Sequence, residues 1–351
     1  MGIGTLLIRT DATPDIGTGH VMRCLALAEA WQERGGHAVF ATHRCVPGIQ
    51  QRLTSANIEV HDLSSFPGSR NDSDETGALI EALRPEWVVI DGFGFTSDYA
   101  SRLQRLGTRI ALIDDHGTRD RYDADVVINP NIFASAEMYP RKDPATELLV
   151  GLRFALIRRE FRKIERSSQH LRSRRNLLVT LGGSDPDNVT LAVLEALDTI
   201  AAQDFEITVI CGAANEHSAT LEGAARRLRK PVRLLKNVRD MGEVLACADM
   251  AISAPGASAT EFAAVGVPVL LITMAENHAR TGEEFAARGF AVSLGWWNQM
   301  TVAELAAHLK AFLKDDAGRA RKSELAAQHI DTFGADRIVE RLTTVKLEAT
   351  A

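Results

Sequence analysis

No two cysteines in this chain are spaced as C-x-x-C. Cys24, Cys45, Cys211 and Cys247 are scattered through 351 residues, so the sequence offers neither a thiolate zinc site nor a redox dithiol, and the thiols are expected to be reduced. An excess of positive charge is also missing. Lys and Arg number 40 against 46 Asp and Glu, a formal net charge of -6, whereas nucleic-acid binding runs on clustered cations. The one basic cluster, His170 to Asn176, reads as a solvated linker. The longest apolar run, Val267 to Ala275, is far short of the roughly 20 residues of a spanning helix. At the N-terminus Arg9 and Asp11 follow a short apolar stretch too closely for a signal peptide. These absences lead us to expect a cytoplasmic protein that binds neither nucleic acid nor membrane, and a monomer is expected alongside.

What is present is a globular composition, 45% hydrophobic and 25% charged, on a chain too long for one ordinary core. Short β-branched runs alternate with amphipathic ones. "GTLLIRT", "HAVFATH", "WVVIDG", "RIALIDD" and "DVVIN" read as strands of the first half, and "VMRCLALAEAWQERG" as a helix between two of them. The pattern repeats in "NLLVTLGG", "FEITVICG", "VRLLKN", "DMAIS", "VPVLLIT" and "FAVSLG". The fold class is therefore α/β, two Rossmann-like doubly wound domains. Residues 1–155 form the first, 156–174 a linker containing a charged helix, and 175–351 the second with a helical tail that folds back on either domain. Two such domains would face each other across a cleft between the carboxyl ends of their sheets.

The stretch "TDATPDIGTGHVMRC" ends a strand, turns through Gly17 and Gly19, and places His20 where a helix begins. It is no dinucleotide fingerprint, because Met22 occupies the third glycine position and the next strand leads to His43 rather than to an acid for a ribose. A nicotinamide cofactor is not expected. A Gly-rich turn brings a ligand close to backbone, and a neutral imidazole at the positive end of a helix suits a general base. The competing reading is a histidine that only hydrogen-bonds its own loop. Cys24 lies one helical turn from His20 but in a row with Leu25, Leu27 and Ala28, so it reads as a core residue rather than a nucleophile. Asp11, Gly17, Gly19 and Arg23 are the further ligand-contact candidates of this segment.

In the second half, Gly182-Gly183-Ser184 forms a strand-to-helix turn suited to an oxyanion or simply to a tight turn. The stronger signal is "ISAPGASATEFAAVGVPVLLITMAENHA". Ser253 stands at a strand end, a helix opens near Ser258 after Gly256 and Ala257, and Glu261 follows one turn in. Such a helix start holds a diphosphate on its free N–H groups, while the acid accepts ribose hydroxyls. Ser258 and Glu261 equally spell a capping box, S-x-x-E. A further strand end delivers Glu276, Asn277 and His278.

Taken together, "DATPDIGTGHVMRCLALAEAW", "VGLRFALIRREF", "LGGSDPDN" and the last motif resemble the UDP-sugar hydrolases of pseudaminic acid biosynthesis over nearly the whole chain. That family has the two-domain GT-B architecture. The resemblance implies hydrolysis of UDP-2,4-diacetamido-2,4,6-trideoxy-β-L-altropyranose to UDP and free sugar, by water attack at the anomeric carbon with inversion and without metal or other cofactor. It implies His20 as general base and Asn277 as a partner placing water or sugar. Gly183, Ser184, Ser258 and Glu261 would bind UDP, with the pyrimidine at a backbone edge near Val238. UDP is a good leaving group, so one base and an electropositive helix start suffice where ordinary glycosidases use two carboxylates. The chain departs from the family at His278, where glutamine is expected, at Phe93, where relatives often carry tyrosine, and in "PGAS", which replaces "GGS".

Two other readings use the same residues. A glycosyltransferase would pass the sugar to an acceptor, and a non-catalytic binder would only hold the nucleotide sugar. A metal site at Asp114, Asp115 and His116 is disfavoured because adjacent residues rarely converge on one ion.

Overall fold

A computed structural model describes residues 2–13, 17–43, 45–164, 175–200, 205–212, 214–236, 238 and 240–348. The chain divides into two compact units, Met1–Arg159 with Phe333–Ala351, and Glu160–Thr332.

In the first unit, strands β1 (Thr5–Arg9), β2 (His37–Thr42), β3 (Glu59–Asp62), β4 (Trp87–Asp91), β5 (Arg109–Ile113), β6 (Val126–Asn129) and β7 (Glu147–Val150) alternate in their first part with helices α1 (Gly19–Glu33), α2 (Pro47–Ser55), α3 (Arg70–Leu83) and α4 (Ser97–Gln104). The sheet is parallel, ordered β3-β2-β1-β4-β5-β6-β7. Because helices cover both faces, its central strands are apolar at successive positions: Leu6, Leu7 and Ile8 are all fully buried. The chain moves outward in one direction from β1 and in the other from β4. The neighbours β1 and β4, with Ile8 opposite Val89, thus flank the point where strand order reverses, and ligands of such sheets bind at the carboxyl ends there.

The second unit contains β8 (Arg175–Thr180), α5 (Val189–Thr199), β9 (Phe205–Cys211), α6 (Ser218–Arg227), β10 (Val232–Lys236), α7 (Met241–Ala246), β11 (Met250–Ser253), α8 (Ala257–Ala264), β12 (Val269–Thr273), α9 (Glu276–Ala287), β13 (Val292–Trp296), α10 (Val302–Lys314) and α11 (Asp316–His329). Its parallel sheet runs β10-β9-β8-β11-β12-β13, with the reversal between β8 and β11.

The last helix, α12 (Gly334–Glu348), corrects the expected boundary of 175–351 for the second domain. It belongs to the first unit, where Ala335, Ile338, Val339 and Leu342 are fully buried in the same core as α1 and β1. Trp87 Nε1 on β4 donates to Leu342 O at 3.0 Å. An apolar stripe spaced i, i+3, i+4, i+7 is buried wherever a complementary face exists, and α1 supplies it. Of the expected 156–174 linker, residues 165–174 lie outside the described ones; Arg159–Lys163 form a short 3-10 turn.

Candidate functional site

β1 and β4 each deliver a residue to the reversal point of the first sheet. After β1 the chain turns through Gly17, whose φ of +75° favours glycine, and α1 begins at Gly19 with Thr18 as N-cap and no side-chain cap. His20 is therefore in the first turn of α1, and Asp91 closes β4. Nδ1 of His20 lies 2.9 Å from Oδ1 of Asp91. Arg23, one turn along α1, donates from Nε to Asp91 Oδ2 at 2.7 Å and from Nη2 to Oδ1 at 2.6 Å, and from Nη1 to Asp115 Oδ1 at 2.8 Å. Asn131 Nδ2 donates to the same Asp115 oxygen at 2.6 Å.

The partners fix the tautomer. A carboxylate only accepts, so a lone pair on Nδ1 pointed at Asp91 would face another lone pair; the proton belongs on Nδ1, and Nε2 is left as the acceptor. Arg23 Nη2 also approaches Nδ1, at 3.2 Å, but its proton is directed to the nearer Asp91. Burial alone would raise the Asp91 carboxyl, yet the Arg23 charge and the hydrogen bonds from Arg23 and His20 outweigh it and hold Asp91 well below the usual carboxylate range. Asp115 is lowered in the same way, against its burial, by Arg23. Asp91 is thus ionised at neutral pH and holds the His20 ring by its Nδ1.

This pair opens on a pocket of 330 Å³ bounded by His20, Arg23, Asp91, the loop Gly92–Ser97 and the segment after β5. Phe93, 49% exposed, meets the His20 ring edge-on with centroids 4.9 Å apart. Of Asp114, Asp115 and His116, Asp115 is tied to Arg23 and Asn131. Asp114 accepts from Gly117 N at 2.8 Å, and Arg119 Nε lies 3.4 Å from its other oxygen. Cys24 is fully buried, and burial together with Asp91 pushes its thiol well above the ordinary cysteine value, so it is no thiolate nucleophile.

Asp11 is placed elsewhere. One oxygen receives Arg9 Nη1 at 2.7 Å and the other His43 N at 2.6 Å, within a buried cluster that also pairs Arg9 with Asp72 at 3.0 Å. Its lone pairs hold the loop that follows β1, and it does not line the pocket. Asp91, the partner of His20, is the candidate that sequence reading missed, and Asp115 was considered there only as a metal ligand. Asp91 was visible as the acid closing the apolar strand "WVVIDG", but only strand order shows that β4 lies beside β1.

In the second unit, Gly182 has φ +90° after β8, and a β-carbon on Gly212 would come within 2.6 Å of Gly183 Cα, so this turn is glycine-rich for backbone packing. Ser184 follows it, half-buried, and Asp185 caps α5 through Val189 N at 2.8 Å and Thr190 N at 3.0 Å. After β11 the chain bends at Gly256, the N-cap of α8, and Ala257 is the first helical residue; the N-cap glycine supplies no side-chain cap. Ser258 therefore sits inside the first turn and not at the N-cap position that the alternative reading as a Ser258–Glu261 capping box requires. Glu261 is buried. Asn277 and Glu276 are exposed in the first turn of α9, and His278 is half-buried beside them. Val238 is half-buried between two residues outside the described ones. Gly182–Ser184 and Ser253–Ala257 thus follow the two strands flanking this sheet's reversal, as His20 and Asp91 do in the first.

Residues 176–338 match the glycosyltransferase family 28 C-terminal domain. The chain is 26% identical over 276 residues to an uncharacterized protein of Methanocaldococcus jannaschii, a match covering 76% of this chain and 55% of that one; it thus spans about half of that relative's length. It is 22% identical over 288 residues to the UDP-2,4-diacetamido-2,4,6-trideoxy-beta-L-altropyranose hydrolase of Campylobacter jejuni, covering 82% of this chain and 98% of that one. Among solved structures it is similar to MurG of Acinetobacter baumannii, with TM-score 0.66 at 17% identity over 97% of this chain and 99% of the other. It is also similar to HepE of Anabaena in complex with UDP-glucose, with TM-score 0.66 at 13% identity over 97% and 100%. No helix among the described residues is long and apolar enough to cross a membrane. Two parallel α/β units of Rossmann type, matched along their whole length by such structures, give this chain the GT-B fold.

Proposed function

We propose that this chain hydrolyses a UDP-linked diacetamido-trideoxy sugar, releasing UDP and the free sugar with inversion at the anomeric carbon. The observation that carries the reading is the His20–Asp91 pair, which fixes a proton on Nδ1 and leaves Nε2 to act as a base beside an open pocket. Water attacks the anomeric carbon as Nε2 takes its proton. The new C–O bond forms on one face while the bond to the phosphate oxygen breaks on the other, and its electron pair leaves with UDP. The imidazolium is stabilised by the ionised Asp91 until its proton passes to solvent. In this reading the second unit holds the nucleotide: the first-turn N–H groups of α8 meet the diphosphate, Gly182, Gly183 and Ser184 border it, Glu261 takes the ribose and Val238 the pyrimidine. Asn277, exposed at the start of α9, orients the sugar or the attacking water, and Phe93 lies against the sugar side of His20. The Campylobacter relative's name and the UDP-glucose held by the Anabaena structure support this substrate class.

The family 28 domain match favours a second reading, transfer of the sugar to an acceptor. A proton NMR time course with the UDP-diacetamido-trideoxy-altrose and no acceptor separates them. Free sugar of inverted configuration, with turnover lower by about 10²–10⁴-fold in His20→Ala and UDP binding kept, is the hydrolase result. Intact substrate over the same period counts against hydrolysis, and unchanged turnover in His20→Ala removes the base.

A further inference from the structure

His278 is the third residue of α9, and its backbone N–H bonds back to Ala275 O at 2.9 Å. Its ring turns toward the beginning of the neighbouring helix α8: a β-carbon built on Gly256 would stand 3.8 Å from Nε2. Further along the same helix, a β-carbon on Gly282 would come within 3.1 Å of Pro255 Cγ. α9 thus runs beside the Pro255–Gly256 turn that opens α8, and the imidazole leans over Gly256, the N-cap that has no side chain of its own.

Two buried polar atoms in this corner have no hydrogen-bond partner, Nδ1 of His278 and Oγ of Ser253, a residue only 1% exposed at the end of β11. Unsatisfied buried groups cost stability, a donor more than an acceptor, so the orphaned atoms decide which protonation state the corner tolerates. The two nitrogens of His278 are not equivalent. Orphaned buried N–H groups are rarer than under-used acceptors, so the buried, unpartnered Nδ1 carries the lone pair and the proton sits on Nε2, the nitrogen turned to Gly256. The charged residues nearest in sequence on α9, Glu276 and Arg280, stand two positions to either side and so off this helix face; Glu261 is one turn into α8. Burial is the influence on the ring, and it pushes His278 below the ordinary histidine value.

We infer that His278 is an uncharged donor to the nucleotide, giving one hydrogen bond from Nε2–H to the diphosphate at the start of α8. The inference rests on the UDP reading above and goes beyond it in stating which atom donates and that no proton is taken up. A histidine beside a phosphate is ordinarily expected to become imidazolium. Here the second proton would have to enter at Nδ1, where nothing accepts it.

Titration calorimetry of the full chain with UDP, in two buffers of different ionisation enthalpy near neutral pH, tests this. Wild type is expected to give the same binding heat in both. His278→Gln, whose amide nitrogen reaches about as far as Nε2, is expected to keep its affinity within a few-fold. His278→Asn, whose amide sits where Nδ1 is, and His278→Ala are expected to lose about 10–100-fold, the worth of one hydrogen bond to a charged group. A buffer-dependent heat in wild type that disappears in His278→Gln would overturn the neutral donor. Equal affinity in all four proteins would remove the ring from the nucleotide. Absence of UDP binding in folded wild type is a different failure, that of the nucleotide reading itself.

Discussion

His20 and Asp91 are 71 residues apart in sequence, yet Nδ1 of one lies 2.9 Å from Oδ1 of the other. The contact exists because β1 and β4 are neighbours in the sheet, and the loop after each opens at the same end. If Asp91 serves to hold the Nδ1 proton, its charge matters more than its shape. In Asp91→Asn the amide could present an N–H to Nδ1, moving the ring proton to Nε2 and abolishing the base. Turnover is expected to fall about 10³–10⁴-fold with KM changed little. Steady-state kinetics on UDP release measure it, and a loss confined to KM would show that the pair does not act in the chemical step.

The Arg23 cluster makes an acid-side prediction. Asp91 and Asp115 both have lowered folded-state pKa values, because Arg23 outweighs their burial. Groups lowered on folding add stability that is fully present above the unfolded-chain value, about 3.9 for aspartate, and is lost as pH falls toward the folded value. Thermal unfolding of wild type and Asp115→Asn should therefore differ most above about pH 4 and converge on further acidification. A gap that stays constant down to about pH 3 would mean that the aspartate contributes by packing and not by charge.

Cys24 tests the nucleophile question from the other direction. Its sulfur donates to Asp91 Oδ2 at 3.3 Å, close enough to invite a catalytic reading, but burial and that same carboxylate keep the thiol protonated. Cys24→Ala is expected to retain turnover within a few-fold and to lose about 1–2 kcal/mol of stability, as for loss of a small buried group. With native protein, iodoacetamide should label the exposed Cys247 and leave Cys24 intact by mass spectrometry. Loss of turnover by orders of magnitude in Cys24→Ala, with folding intact, would reinstate it.

Much of this was legible in the residues, and the omissions have physical causes. Eleven strands named from β-branched runs are present, because parallel strands buried on both faces are apolar at successive positions, as in Leu6, Leu7 and Ile8. The two strands not foreseen, β3 and β7, are four residues each at the sheet's margins; "EVHD" has the polar character that edge strands tolerate. Among site residues, His20 was marked by local sequence, since glycine turns and helix starts are local events. Asp91 was not, nor was the pairing of Asp115 with Arg23, because Arg23 is 68 and 92 residues away from them and pairing across a sheet is set by strand order. Asp11 shows what local sequence leaves out: an acid next to a glycine loop looks like a ligand contact, and its bonds to Arg9 and His43 come from a strand end 32 residues away as well as from its own strand.

The final helix carries the last prediction. Leu342 is fully buried, its carbonyl accepts from Trp87, and α12 packs on α1, the helix that carries His20. Leu342→Ala removes a large apolar side chain from a core that already contains Trp31, Trp87 and Val339, and should cost about 2–5 kcal/mol. The loss should fall on the first unit and not on the second, to which α12 does not belong. Hydrogen exchange read by mass spectrometry distinguishes them: faster exchange is expected in β1, β4 and α1, with β8 and β11 unchanged. Uniform acceleration across both units would mean that the helix stabilises the whole chain as one cooperative body, and loss of protection only around β8 and β11 would return it to the second domain.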